Sequence, residues 1–343
     1  MPTYLITGAS GFLGRHLITT LRDLEPKTRV VALARNPDNL TRQAWFAALG
    51  SIDVLEGDLA ALPTLADDPL LAGLSGIFHA AAEVHHGRDQ IEHQRRMNID
   101  GTASVMALAA ASKARVIFVS TSGASGCSRD PNAAPNEEAP TCDAVVSDWP
   151  YYASKIEAEQ RARHLANQQD IPLSIVRPPV MIGPGDHRFR STGHIIKMLR
   201  GRLPFLIEGG ISFVDIRDVA AAMVRLMALP NMRPIYHLPG TACGVEAFFR
   251  RVGQVAGVSA PSIVLPYPAA HTLARLSKWT ANRLGAAKPP LPDPVVVEMA
   301  RHYWGLSSLY ADKDLDFRPR DPMQTLADTV SWLRANHPDL SAR

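Results

Sequence analysis

Apolar and polar positions along the first half of the chain fall into two kinds of block. Tyr4 to Thr7, Arg29 to Ala34, Ile52 to Leu55, Gly76 to His79, Arg115 to Val119 and Leu173 to Val176 are short, nearly continuous apolar runs with no polar face. Such runs predict strands covered on both sides, as in parallel sheets. Between them the apolar residues take helical spacing. One helix opens at Gly14, a second spans Gln90 to Ser112 with Met97, Val105 and Leu108 on its buried face, and a third runs from Tyr151 to about Gln169. Strands alternating with helices predict an α/β fold built on a doubly wound parallel sheet. Gly123 to Trp149, rich in Pro, Asn and Ser, is expected to be one long exposed loop.

Past Arg177 the pattern changes. Gly183 to Asp186 reads as a turn cluster, Ile195 to Arg200 as a short helix and Pro204 to Val214 as a hairpin around Gly209-Gly210. A helix over Asp218 to Leu229 and a strand at Ile235 to Leu238 return the chain to the sheet. The remainder alternates helices with proline-rich connectors. Residues 1–177 plus 212–238 are therefore expected to form the sheet domain, and 178–211 plus 239–343 a smaller, mainly C-terminal substrate lobe.

The turn after the first strand carries a glycine ladder, Gly8, Gly11 and Gly14, within Gly8-Ala9-Ser10-Gly11-Phe12-Leu13-Gly14. In a Rossmann fold Gly8 turns the chain, Gly11 lets the backbone approach a pyrophosphate at the helix N-terminus, and Gly14 packs helix on strand. The second strand ends at Arg35, where an acidic residue would bind the ribose hydroxyls of NAD. A guanidinium suits a 2′-phosphate, so the cofactor reads as NADP in preference to NAD. Ala80, Ala81 and Ala82 after the fourth strand are small enough for a cofactor to lie against the backbone.

Ser122 follows the fifth strand, and Tyr151 and Lys155 share one face of the next helix, a turn apart. An ammonium beside a phenol lowers the phenol pKa and makes it a usable proton donor. A serine hydroxyl opposite can hold a carbonyl oxygen. Tyr152 is the rival phenol, and Ser120 and Thr121 are the rival hydroxyls.

Together with Gly57-Asp58-Leu59, His79-Ala80-Ala81, Asn98-Ile99-Asp100-Gly101-Thr102, Arg177-Pro178-Pro179, Phe213 to Ala220 and Phe317-Arg318-Pro319, these motifs resemble the extended short-chain dehydrogenases/reductases over nearly the whole chain. Ile182 to Asp186 and Thr192 to Ile196 look most like the dihydroflavonol reductase-like and 3β-hydroxysteroid dehydrogenase-like branch. The resemblance implies Tyr151 as catalytic acid/base, Lys155 as its partner on the nicotinamide ribose, and Ser122 as the carbonyl orienter. It also implies cofactor contacts at Gly8, Ser10, Gly11, Phe12, Leu13, Gly14, Arg35, Asp58, Leu59, Ala80, Ala81, Ala82, Pro178 and Val180. Asn98 would support the helix and a proton relay, while Asp215, Arg217 and Asp218 would be structural. Ser122-Gly123-Ala124-Ser125-Gly126 departs from the family in being unusually small, which bears on the substrate pocket. The expected activity is hydride transfer between NADP and a ketone, aldehyde or secondary alcohol. A nucleotide-sugar epimerase or dehydratase with bound NAD is the alternative. A non-catalytic, cofactor-sensing regulator is weakened by the retained Tyr/Lys pair.

Composition narrows this further. A formal net charge of +3 over 343 residues, with no basic run, points away from nucleic acid. No apolar stretch reaches the ~20 residues of a membrane span. Cys127, Cys142 and Cys243 are odd in number and far apart, as in a reduced, cytoplasmic protein, and the first strand begins too close to Met1 for a signal peptide. His85, His86, His93, His187 and His194 read as solvated loop histidines, with no metal site. A homodimer through a four-helix contact is compatible with the resemblance. Between Ala270 and Leu284, leucines interleave with Arg275, Lys278 and Arg283. That segment reads as a helix packing on its own lobe, as a lid over an apolar substrate, or as a membrane-docking helix.

Overall fold

The computed structural model describes residues 1–50, 52–285, 289 and 291–340; positions 51, 286–288, 290 and 341–343 lie outside the description, the last three at the end of the expected second lobe. Its centre is a seven-stranded sheet. The strands are β1 (Thr3–Thr7), β2 (Arg29–Ala34), β3 (Asp53–Glu56), β4 (Leu74–His79), β5 (Arg115–Val119), β6 (Leu173–Arg177) and, last in the chain, Ile235–His237. They lie in the order Ile235–His237, β6, β5, β4, β1, β2, β3, and every pairing is parallel. Successive strand residues point to opposite faces, so Ile6, Val30, Phe78 and Ile117 enter one core while Leu5, Val31, Ile77 and Val116 enter the other. Helices Phe12–Leu24 and Ile216–Ala228 cover the first face, and Gly101–Ser112 with Pro150–Gln169 cover the second.

The helix expected over Gln90 to Ser112 is interrupted. A π-turn at Arg96–Asp100 separates Ile91–Arg95 from Gly101–Ser112 and places Asn98 inward, where it is buried. Asn98 Nδ2 donates to Ser154 Oγ and to the Glu83 carbonyl, both at 3.0 Å, and its Oδ1 accepts from the Glu83 amide at 2.8 Å.

One expectation fails and a second holds only in part. The hairpin at Pro204 to Val214 does not form. β7 (Val180–Ile182) pairs parallel with β9 (Gly210–Asp215), which pairs antiparallel with β11 (Thr241–Gly244), whereas β8 (Leu206–Ile207) pairs with β12 (Val264–Leu265), so that Ile235–His237 is β10. The Gly209-Gly210 link is occupied from outside: a Cβ on Gly209 would stand 1.6 Å from the Ala300 carbonyl oxygen, and the Gly210 amide donates to the His302 carbonyl. Gly123 to Trp149 is an exposed loop only in part, over most of 128–142. Residues 120–127 are buried, Ser122–Ala124 form a 3₁₀ turn, Asp143–Val146 form a short helix, and Ser128 bridges to Tyr303. A third core unites β9 with helices Gly193–Leu199, Val245–Ala256 and Pro322–Asn336 through Phe213, Ile195, Phe248 and Leu326. Among the described residues no helix is long and apolar enough to cross a membrane.

Candidate active site

Because all seven strands run the same way, their C-terminal ends form one edge. Along it stand Pro178 after β6, Ser122 after β5, Ala80–Ala82 after β4, the glycine ladder after β1, Arg35 after β2 and Asp58 after β3. With strands ~4.8 Å apart, the span from β6 to β2 is roughly 19 Å, room for an extended dinucleotide.

The middle of this edge is a cradle that side chains cannot enter. Gly8 holds φ +71, and a Cβ there would lie 2.7 Å from the Ala81 amide nitrogen. A Cβ on Gly14 would lie 2.2 Å from the Gly8 carbonyl oxygen, so the Phe12–Leu24 helix sits as close to β1 as backbone permits. That helix starts at Gly11 with no side-chain cap and no acidic residue in its first turn. Its first N–H groups and dipole therefore face outward for an anion. Leu13 turns into the core and Phe12 packs edge-on to His16.

The Gly183–Asp186 turn and the residues after it cross over the cradle. His16 Nε2 bonds the Pro184 carbonyl at 2.8 Å, Arg15 bonds His187, and Arg188 reaches Ser10 Oγ at 3.4 Å. On the far side Arg190 bonds the Val84 carbonyl and lies 3.7 Å from Glu83. The buried Asp186 carboxylate holds this strap, accepting from the amides of Arg190, Ser191 and Thr192 and from the Thr192 hydroxyl. Two arginines are thus brought beside a diphosphate-sized cradle, and the residues fit a dinucleotide cofactor. At the β2 end Arg35 is exposed, and no hydrogen bond or ion pair engages its side chain among the described residues. Asp58 caps the following turn through Ala61 N at 3.0 Å, and Leu59 packs on Gly101.

The 3₁₀ turn bearing Ser122 packs on the helix Pro150–Gln169, and the Ser122 amide donates to the Pro178 carbonyl at 2.8 Å. Val180 is left exposed just beyond. Of the rival hydroxyls, Thr121 Oγ1 accepts from the Gly123 amide at 3.3 Å, while Ser120 Oγ is buried without a partner among the described residues. Lys155 is buried, donates to the Val119 carbonyl at 2.7 Å and lies 4.1 Å over the Phe118 ring. Burial, opposed by Glu159, lowers it to about 7. Burial also pushes the Tyr151 phenol up to about 12. The depression of the phenol that the Tyr151/Lys155 spacing predicts is therefore not expressed in this arrangement. Desolvation dominates both groups and keeps Tyr151 protonated at neutral pH.

Several site residues escape a reading of the sequence. His79 bridges Thr7 and Thr102 at 2.8 and 3.0 Å and stacks on Phe118; burial and then Lys155 lower it to about 3, so it is a neutral strut. Arg177 and Glu159 form a buried two-point ion pair at 3.0 and 2.5 Å beneath the Ser122 turn, extended through Ser125 to His237. His86 is not a solvated loop histidine: its ring meets Tyr151 edge-on at 5.4 Å, its Nδ1 is buried with no partner among the described residues, and burial lowers it to about 4. Tyr152 shares the His86 ring contact with Tyr151 but has further partners. It stacks on Trp304 at 5.0 Å and lies against Gly123, forming with Trp149 an aromatic wall whose burial raises the Tyr152 pKa further still. The small residues after Ser122 thus make room for Tyr152. Asp215 and Asp218 form ion pairs with Arg217 and Arg320, tying the helix Ile216–Ala228 to the C-terminal region.

The chain is 29% identical, over 97% of its length and 95% of the other, to a Synechocystis sp. protein named as a candidate dihydroflavonol 4-reductase. It is 26% identical to sterol demethylase protein B of Methylococcus capsulatus, covering 97% and 98% of the two chains. The crystal structure of gox2253 superposes with a TM-score of 0.80 at 26% identity, covering 98% of this chain and 99% of that one. A model of the NAD dependent epimerase/dehydratase family matches residues 4–237, and the chain belongs to that family, as an extended short-chain dehydrogenase/reductase with a nicotinamide cofactor.

Proposed function

We propose that the protein is an NADP-dependent reductase of ketones or aldehydes carried on apolar molecules, working also as the reverse alcohol dehydrogenase. What supports this is that the Ser122 turn packs on the helix bearing Tyr151 and Lys155, and that the Tyr151 ring lies 5.1 Å from Tyr152 of the wall it forms with Trp149 and Trp304. The relatives named for dihydroflavonol and sterol chemistry support an apolar carbonyl compound. The reduced nicotinamide, when bound, supplies a hydride to the carbonyl carbon. Ser122 orients the carbonyl oxygen, and Tyr151, protonated because its pKa stands near 12, gives that oxygen its proton. Lys155 holds the ribose and passes a proton back to the phenolate. Pro178 and Val180 bound the nicotinamide side, and Arg35 meets the 2′-phosphate. On this reading the enzyme is cytoplasmic, and a homodimer is compatible with it.

The family's own description favours a second reading, an epimerase or dehydratase retaining NAD. Denaturing the purified protein and identifying what it releases separates the two, followed by turnover assays with NADPH on steroid, flavonoid and long-chain ketones beside sugar nucleotides. Exchangeable NADPH and turnover of the apolar ketones are expected. Tightly retained NAD with selective turnover of sugar nucleotides would establish the second reading.

A further inference from the structure

The helix Tyr267–Arg283 packs by its small residues and turns its large ones outward. Ala270, Ala274, Ser277 and Ala281 form one buried stripe, with Ala270 and Ala274 against Val297 of the helix Pro294–Ala300. Leu273, Leu276 and Trp279 are 42%, 55% and 55% exposed, and Leu284 just past the helix end is 83% exposed. Soluble helices bury such side chains and leave the polar ones outside. Exposed apolar side chains scattered singly need no explanation, but here four stand within twelve residues.

The charge on this segment has one sign. From Tyr267 to Leu284 there is no Asp or Glu, while Arg275, Lys278 and Arg283 are present. Asp293 neutralises Lys278 at 2.6 Å, and Arg275 and Arg283 have no carboxylate partner among the described residues. At ~100° per residue Arg283 falls within the leucine stripe and Arg275 at its flank. The Arg283 guanidinium lies 5.1 Å over the Trp279 ring.

We propose that this face docks on an anionic lipid surface. Leu273, Leu276, Trp279 and Leu284 enter the boundary between headgroups and acyl chains, and Arg275 and Arg283 meet lipid phosphates. A second copy of the chain is the poorer occupant. A two-fold contact through this face would bring guanidiniums together with no carboxylate on the helix to receive them. The helix Pro294–Ala300 beneath also sends Val295 and Met299 into the cluster of Trp149, Tyr152 and Trp304. The docked face is thus one helix removed from the proposed substrate wall. Delivery of an apolar substrate from the bilayer rests on the proposed function; the docking itself does not.

The test is co-sedimentation of the full-length protein with vesicles of phosphatidylcholine alone and of phosphatidylcholine mixed with phosphatidylglycerol. Wild type is expected on the mixed vesicles, with binding that falls as salt rises. Arg275→Glu with Arg283→Glu should weaken binding roughly thirty-fold or more, from the attraction of two cations to the anionic surface. Leu276→Asn with Trp279→Ser should abolish it. Both variants should keep the wild-type melting temperature and NADPH affinity, since these residues touch neither core nor cofactor edge. No binding of wild type to the mixed vesicles, or equal binding to both compositions, would overturn the proposal. So would a dimer in sedimentation equilibrium that the Leu276/Trp279 variant loses. Loss of docking with apolar ketones still turned over would overturn the docking alone.

Discussion

Adding one methyl group at Gly123 should damage the substrate side of the site and leave the cofactor side intact. A Cβ there would lie 2.1 Å from Tyr152 Cε1 and 2.2 Å from Cδ1. To reach the 3.4 Å of ordinary contact the ring must withdraw by about 1.3 Å. It has little room to do so, because Trp304 stacks on it at 5.0 Å and Trp149 meets it at 6.1 Å. Overpacking of this kind costs about 1–3 kcal/mol. Gly123→Ala should therefore lower the unfolding free energy by that amount and raise KM for the carbonyl substrate, with the NADPH dissociation constant unchanged. The decisive assay is a double-mutant cycle: in a Tyr152→Ala background the same methyl group meets no ring, and its cost should largely vanish. An equal cost in both backgrounds would refute the packing argument. So would wild-type stability and KM in the single mutant.

Tyr151→Phe should lose ~10²–10⁴-fold in kcat with the NADPH dissociation constant unchanged, whereas Tyr152→Phe should retain most turnover; the reverse pattern would exchange the two phenols' roles. Arg35→Ala should cut the preference for NADPH over NADH by ~10–100-fold, the worth of a charged contact of roughly 1.5–3 kcal/mol, as read by titrating both cofactors. Burial lowers Lys155 from 10.5 to about 7, so between those pH values the unfolded chain binds a proton that the folded chain lacks. The penalty of burying the charge is full below about pH 7 and gone above 10.5. Wild-type stability relative to Lys155→Met should therefore rise with pH across that window; a flat or falling difference in denaturation midpoints would contradict it.

The strands were legible because a parallel sheet writes each one as an unbroken apolar run. Arg29–Ala34 and Arg115–Val119 match their expected bounds, and β4 differs only in starting two residues earlier, at Leu74. The glycine ladder and the Tyr151/Lys155 pair were legible because each is a local spacing. What stayed hidden depends on contacts distant in sequence. The Gly209-Gly210 pair looks like a hairpin turn until residues 300–302 press against it. His86 looks like one of several loop histidines until the chain from β4 folds back over Tyr151. Lys155 a turn from Tyr151 suggests a lowered phenol pKa, but burial alone sets the Tyr151 shift, and the Lys155 ammonium donates to the Val119 carbonyl. In Tyr267–Arg283 the leucines suggested a buried stripe, yet close approach to a neighbouring helix selected the alanines instead.

The strap from Gly183 to Thr192 has a consequence for the order of events in turnover. Its inner end is held by a buried carboxylate with four donors, but its contacts to the two rims are partly exposed arginine and histidine side chains. Gly185, at φ +100, gives it a pivot that most residues cannot provide. The loop can therefore lift as one piece without unravelling. Closure of those rim contacts over a bound dinucleotide would make the cofactor arrive first and depart last. Steady-state kinetics should be compulsory-ordered, and opening of the rim contacts, a step remote from hydride transfer, should limit kcat.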